Sequence, residues 1–474
     1  MRQHILLVVI LLVAAAIRLF DLGERVLWID EQQTVLEANG IGENVSFSLE
    51  NGFTSQEFKN EKGISNMIRA NAERDSGNGF FYIMMVSWWT GFFGNSNLSV
   101  RMVSVIFSLL TSVVIFYLAR DLFESENVAY WSSFLFSIHH LSFISGQEAR
   151  SYAIGTFLIT LSTALFFRIC NWDGKPRGLE IFSFGLCSGL ALLSHYLTCY
   201  IIFSQVLVAV LFYRKAAVWK SLVGAGFLAS LVVLCWMVNG GLYGLKFMGA
   251  RSEMYHTLSL MDPGNAFYGK ADFRTIVTGL FQMITHLFGI GFQYGGLRIR
   301  EAIPFLVIPS LILFLNIKML KERKESYIPL IILGLAAPLF AMLLAIMSGH
   351  TVSFQVLYAN FSLAFVCIIL GSLFESTWRN GGLLSRSMVV AYLLMMSASS
   401  LFIMVKERHD AGESRNLEAV AKELESNYQP GDTLIFATSQ EALLRNLYFR
   451  NPAIFQKVGD TLRHQDLYLE DIHR

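Results

Sequence analysis

Long apolar runs separated by short polar breaks dominate the chain. Runs at 4–20, 98–119, 127–144, 151–170, 180–194, 196–213, 219–238, 302–317, 327–347, 357–374 and 387–405 each approach the length of about 20 residues that a bilayer-spanning helix needs. Two further runs, 79–93 and 275–291, are apolar but ambiguous. Basic residues order these segments, because short cytoplasmic loops collect Lys and Arg. Clusters fall at Arg168/Lys175/Arg177, Arg214/Lys215/Lys220, Lys318/Lys321/Arg323/Lys324 and Arg379/Arg386. Placing all four inside demands an even number of crossings between them. That parity puts 275–291 at the outer interface, in an outer loop of about 239–301. It puts 79–93 there too, as its aromatic ends (Phe80, Phe81, Tyr82, Trp88, Trp89, Phe92, Phe93) suggest. The expectation is an all-α polytopic membrane protein with about 11 to 13 transmembrane helices, N-terminus inside and C-terminus outside.

The first run reads as a retained span. The alternative, a cleaved signal peptide ending at Ala14-Ala15-Ala16, fits less well with Arg18 following at once. Two polar pieces remain, both outside. The loop at 21–97 is acidic and holds amphipathic stretches near 31–39 and 62–74. The tail at 406–474 follows a 1–405 membrane domain. In that tail Asn416–Asn427 predicts a helix, Pro430-Gly431-Asp432 a turn, Thr433–Ala437 a strand and Gln440–Phe449 a second helix, a small α/β domain.

Composition agrees with a membrane protein: hydrophobic residues make up 54% of the chain and charged residues 15%. The formal charge is +1, from 37 basic and 36 acidic residues, so nothing points to a nucleic-acid partner. All five cysteines lie in or beside apolar runs without metal-ligand spacing, as packing residues do.

Candidate chemistry gathers on the outer side. Asp30 and Glu31 follow Trp28 just beyond the first span. A carboxylate there can take a proton from an attacking hydroxyl or hold a divalent metal ion. Either can also simply cap the helix starting near residue 31. Glu148 and Arg150, at the outer end of the run at 127–144, offer a partner for a metal or sugar hydroxyl and a partner for a phosphate. They can equally be a snorkelling pair at a helix boundary. His195 interrupts a helical hairpin, and Asp75 and Arg101 complete the outer polar set. His139-His140 sit within a span, with no third metal ligand nearby in sequence. No Walker loop, GxGxxG turn or GxSxG elbow is present, so nucleotide-driven chemistry has no support.

In order and spacing these features resemble the GT-C integral-membrane glycosyltransferases of the protein-mannosyltransferase and aminoarabinose-transferase type, which use polyprenyl-phosphate sugars. The matching pieces are Arg18 with Leu27-Trp28-Ile29-Asp30-Glu31, then Phe80-Phe81-Tyr82, Arg101 with its span, Gln147-Glu148-Ala149-Arg150-Ser151-Tyr152, and His195-Tyr196. The likeness implies Asp30 and Glu148 as catalytic acidic residues, with a divalent metal between them as an optional cofactor. It implies substrate contacts from Glu31, Asp75, Tyr82, Arg101, Arg150, Tyr152 and His195. The implied partners are a polyprenyl-phosphate-linked sugar donor, a lipid, glycan or protein acceptor, and membrane lipids. The implied location is a bacterial inner membrane, with the site on the exterior face. Two departures stand out: Gly77-Asn78-Gly79 replaces the His-Pro-Pro of many relatives, and Gln355-Val356-Leu357-Tyr358 lacks their late Arg-Tyr pair. Arg150, Arg101, Arg251 or Arg298 would then meet the phosphate. The competing class is a lipid-linked glycan flippase or a non-catalytic homologue; a transporter would carry charges in mid-span, where these runs are clean.

The topology is directly testable. A cysteine introduced within 43–53 or 406–474 reacts with a membrane-impermeant thiol reagent added from outside, whereas one beside Lys321 reacts only after lysis. Labelling of the tail only after lysis overturns the parity argument.

Overall fold

The computed structural model describes residues 5–25, 27–42, 63–171, 178–265, 267–291 and 299–427. Every apolar run named above is helical. In chain order the main helices are α1 (Ile5–Leu19), α2 (Ile29–Ala38), α3 (Ile64–Asp75), α4 (Phe80–Phe93), α5 (Asn97–Phe123), α6 (Glu126–Ile138) and α7 (His140–Gln147). They continue as α8 (Tyr152–Asn171), α9 (Gly178–Ser194), α10 (Cys199–Phe212), α11 (Ala216–Trp236), α12 (Leu242–Met261) and α13 (Phe273–Leu287). The last are α14 (Ile299–Leu315), α15 (Ile317–Glu322), α16 (Lys324–Ser348), α17 (Asn360–Asn380) and α18 (Leu383–Asn427). Among the described residues no strand is present, and one isolated antiparallel bridge pairs Lys270 with His350. Six helical stretches there are long and apolar enough to cross a membrane, and five shorter apolar helices accompany them.

The centre of the bundle is built from α5, α6, α8, α9 and α17, which pack pairwise along their lengths. In lipid the hydrophobic effect gives helices little reason to associate, so close packing and polar pairs must do so. Both are present. A Cβ added at Gly185 would stand 2.5 Å from the Ala225 carbonyl of α11, and one at Gly371 would meet the Ser132 backbone of α6. Ser162 pairs with Ser188 at 2.9 Å, Tyr327 with Ser372 at 2.6 Å, and Asn360 donates to Thr156 at 2.7 Å.

The expected span at 127–144 is two helices, not one. The chain breaks at His139 (φ −73°, ψ 133°) between α6 and α7. Backbone freed at membrane depth is tolerated only where protein satisfies it, and here it does: Arg18 donates to the Ser137 carbonyl (3.0 Å) and Ser400 to that of Ile138 (2.8 Å). Arg18 itself is fully buried, also donating to Ser108 (2.8 Å) and Ser142 (2.5 Å).

Three other elements differ from expectation in extent. The span at 219–238 does not end there; the chain kinks within Met237–Gly241, where Gly240 has φ 118°, and goes on as α12. The run at 275–291 becomes α13, whose buried residues Gly279, Met283, Thr285, His286 and Leu287 lie toward α16 and α17. The helix expected at 416–427 is the far end of α18, continuous with the last span. The strand and helix expected at 433–449 lie outside the described residues.

Candidate active site

Helix α2 starts at Ile29 because the Glu31 carboxylate accepts the Trp28 N–H (3.2 Å), answering a donor that the first turn leaves open. The same carboxylate does far more. It takes Arg101 in a two-pronged pair, Nε at 2.8 Å and Nη2 at 2.6 Å, and accepts the Ala149 N–H at 2.8 Å. Arg101 spends its remaining arm on the Leu22 and Arg25 carbonyls (2.8 and 2.7 Å). Both side chains are buried. Glu31 and Arg101 are therefore given to each other, and neither is presented to a ligand. Tyr82 is likewise internal, paired with Ser104 at 2.9 Å, while Ser104 donates to the Arg150 carbonyl at 3.3 Å.

One residue earlier, Asp30 points the other way. Its side chain is 35% exposed, and the nearest cation, Arg150 Nη2, stands 3.8 Å off. Partial burial raises its pKa above the ordinary carboxylate value, with Arg150 pulling in the opposite direction. Arg150 lies in the turn between α7 and α8, donates to the Asp30 carbonyl (3.3 Å), and pairs with Asp75 at 3.1 Å. Asp75 is shared: Arg251 of α12 reaches its other oxygen at 3.2 Å and donates to the Arg74 carbonyl at 2.6 Å. Asp30, Asp75, Arg150 and Arg251 thus form one charged cluster from four separate parts of the chain. Arg298 lies outside the described residues.

The turn that carries Asp75 depends on glycine. Gly77 and Gly79 both have positive φ (80° and 77°). A Cβ at Gly77 would sit 2.5 Å from the Tyr196 hydroxyl. Asn78 between them accepts the Tyr196 N–H at 3.1 Å, so the turn is tied to the α9–α10 hairpin. His195 in that hairpin is buried, and its ring lies against Tyr152 (5.5 Å), Tyr358 (5.5 Å) and Phe361 (5.0 Å). Glu148, just before the Arg150 turn, is within electrostatic reach of Arg101, Tyr82 and Tyr152.

Two residues at this place were not singled out from the sequence. Tyr358, in the stretch that lacks the late arginine, packs its ring on both Tyr152 and His195. Glu37, two turns along α2 from Asp30, is buried and accepts from Asn71 at 2.9 Å. Burial, and then Asp75, push its pKa well above the ordinary carboxylate value. The seven-residue spacing on an amphipathic helix was the available signal for Glu37. His139, His140 and His286 form a separate buried group, with His140 Nε2 and His286 Nδ1 2.9 Å apart. Among the described residues, no three His, Cys, Asp or Glu side chains are grouped to hold a metal ion.

Residues 79–238 match the model of a family described as dolichyl-phosphate-mannose-protein mannosyltransferase. The fold matches the crystal structure of ArnT from Cupriavidus metallidurans bound to undecaprenyl phosphate, with 12% identity and a TM-score of 0.56, covering 97% of this chain and 88% of that one. The apo structure of the same protein matches with 13% identity and a TM-score of 0.55, over the same shares. No curated protein matches the sequence. These findings bear out the GT-C resemblance of protein-mannosyltransferase and aminoarabinose-transferase type, and with it the GT-C fold.

Three substitutions at two positions of α2 distinguish the roles of its buried acids. Glu31→Gln leaves Arg101 buried without its counter-charge, a loss of about 3–5 kcal/mol in such pairs. Its melting temperature falls sharply. Glu37 has its pKa raised on folding, so its ionisation costs stability as pH rises from the unfolded value toward the folded one. Glu37→Gln, which mimics the protonated acid, keeps or gains thermal stability at neutral pH, while Glu37→Ala loses it. Thermal unfolding in detergent at two pH values reads all three.

Proposed function

We propose that this chain is an inverting glycosyltransferase. It moves a sugar from a polyprenyl-phosphate donor to an acceptor hydroxyl at the outer face of the membrane. The observation that carries the reading is the contrast between neighbours: Glu31 is locked to Arg101, whereas Asp30 is only half-buried, 3.8 Å from its nearest cation, beside two guanidinium groups. A lipid-borne donor also accounts for a site at the end of membrane helices and for the missing nucleotide motifs. The fold shared with an undecaprenyl-phosphate-bound protein supports it.

In the proposed step, Asp30 accepts the proton of the acceptor hydroxyl as that oxygen attacks the anomeric carbon. The bond from this carbon to the phosphate oxygen breaks, and the lipid phosphate leaves with the electron pair. The attacking and leaving oxygens are on opposite faces of the sugar, so configuration inverts. Arg150 and Arg251, both now on Asp75, meet the phosphate charge. Arg251 supplies the second guanidinium that Gln355–Tyr358 does not. Glu148 faces the sugar hydroxyls from the far side of the Arg150 turn. Asp30 and Glu148 are the carboxylates that would hold a divalent metal ion if one binds. Such an ion would add Lewis-acid stabilisation of the leaving phosphate.

A general base contributes about 10²–10⁴-fold to rate. Asp30→Asn therefore abolishes most single-turnover transfer from a radiolabelled polyprenyl-phosphate sugar in nanodiscs, with folding and donor binding retained. Wild-type turnover falls on acidification through a pKa above the ordinary carboxylate value, because Asp30 must be ionised to act. A variant keeping more than about a tenth of wild-type rate removes Asp30 from the role. Wild-type membranes that bind the donor but never cleave it favour the flippase or non-catalytic class instead.

A further inference from the structure

His195 is a small puzzle within this site. Its backbone is extended (φ −162°), and its Nδ1 accepts the Leu197 N–H at 3.2 Å, capping the single 3₁₀ turn Tyr196–Thr198 that starts the next helix. Thr198 holds the same turn from the other side, donating its hydroxyl to the His195 carbonyl at 2.8 Å. An imidazole nitrogen that accepts a backbone N–H carries no proton, so in the neutral ring the proton is on Nε2. Desolvation, and then the charge of Arg150, lower the pKa of His195 to about 3. The ring is therefore neutral under all ordinary conditions, with its tautomer set by the turn.

Among the described residues nothing accepts the Nε2–H. The rings of Tyr152, Tyr358 and Phe361 surround the imidazole with apolar faces and leave this one polar edge. The neighbouring Arg150 has an Nε that is buried and likewise has no hydrogen-bond partner. The Nε2–H of His195, without a protein acceptor and within electrostatic reach of Arg150, is a donor for an oxygen of a ligand.

We infer that His195 donates its Nε2–H, as a neutral group, to an oxygen of the donor phosphate beside Arg150. This rests on the polyprenyl-phosphate reading above. Neutrality has a chemical use. The cluster already balances Asp30 and Asp75 against Arg150 and Arg251, and a third cation next to Asp30 would weaken it as a base. A neutral donor steadies the phosphate without that penalty. His195 is thus a binding group and not a proton carrier.

The two amide isosteres separate the capping and binding roles in the full-length protein in nanodiscs. In His195→Asn the amide oxygen takes the place of Nδ1 and still caps Leu197, but nothing replaces Nε2–H. In His195→Gln the amide nitrogen approximates Nε2–H while the cap is lost. The probe is sugar-free polyprenyl phosphate, titrated onto each protein. A hydrogen bond to a charged oxygen predicts that His195→Asn keeps the wild-type melting temperature but binds about ten- to a hundredfold more weakly. His195→Gln shows the reverse: lower melting temperature and stronger binding than the Asn variant. A second readout needs no variant: in wild-type protein with ¹⁵N-labelled histidine, the Nε2–H signal of His195 moves when polyprenyl phosphate is added and stays fixed with pH between 5 and 8.

Unchanged affinity in His195→Asn, or an Nε2–H signal that ignores the probe, overturns the inference and leaves the ring as a cap alone. Wild-type protein that does not bind polyprenyl phosphate at all overturns the functional reading with it. The two failures are therefore distinguishable.

Discussion

The pair of Glu31 with Arg101 is the joint on which the outer face of this protein depends. Glu31 belongs to a short helix lying outside the main bundle, Arg101 to a long helix inside it, and the Ala149 N–H that completes the carboxylate belongs to a third element. One buried carboxylate therefore ties α2, α5 and the α7–α8 turn together. A buried ion pair repays its desolvation only when its hydrogen-bonding capacity is used. Here it is used fully, down to the carbonyls of Leu22 and Arg25. Gln147 reinforces the joint by holding the chain where it leaves α1, donating to the Arg18 and Phe20 carbonyls and accepting from Arg25. With those elements held, Asp30 and Arg150 face each other by consequence.

The charged cluster is neutral by construction. Asp75 stands between Arg150 and Arg251 and occupies both of them. A phosphate entering this place competes with an internal carboxylate, so a small anion that brings no other binding energy gains little. A ligand with a long apolar tail has that energy to spend, which favours lipid-borne phosphate over free phosphate.

Much of this was legible in the chain. Every apolar run is helical, the one at 127–144 as two helices, because backbone groups in so apolar a segment must pair among themselves. The amphipathic stretches near 31–39 and 62–74 became α2 and α3. The acidic and basic motifs picked out Asp30, Asp75 and Arg150, which the fold brings together. What the sequence conceals is which member of a pair faces inward. Asp30 and Glu31 are chemically similar neighbours, and only the positions of Arg101 and Ala149 decide that Glu31 is the structural one. The break at His139 was hidden for a similar reason: no Gly or Pro marks it, and its carbonyls are satisfied by Arg18 and Ser400 from distant parts of the chain. Gly77-Asn78-Gly79, a departure from the His-Pro-Pro of many relatives, proves to be a turn with its own requirement for positive φ.

The last helix carries a mechanical consequence. Its apolar part, Leu383–Lys406, suffices to cross a bilayer, yet the helix runs on to Asn427 without interruption. At 1.5 Å per residue the extension past Lys406 is roughly 30 Å long. A helix without a hinge acts as a rigid lever: tilting the span by 10° swings its far end by about 5 Å. Asn427 thus follows the motion of a membrane helix as a pointer follows its shaft.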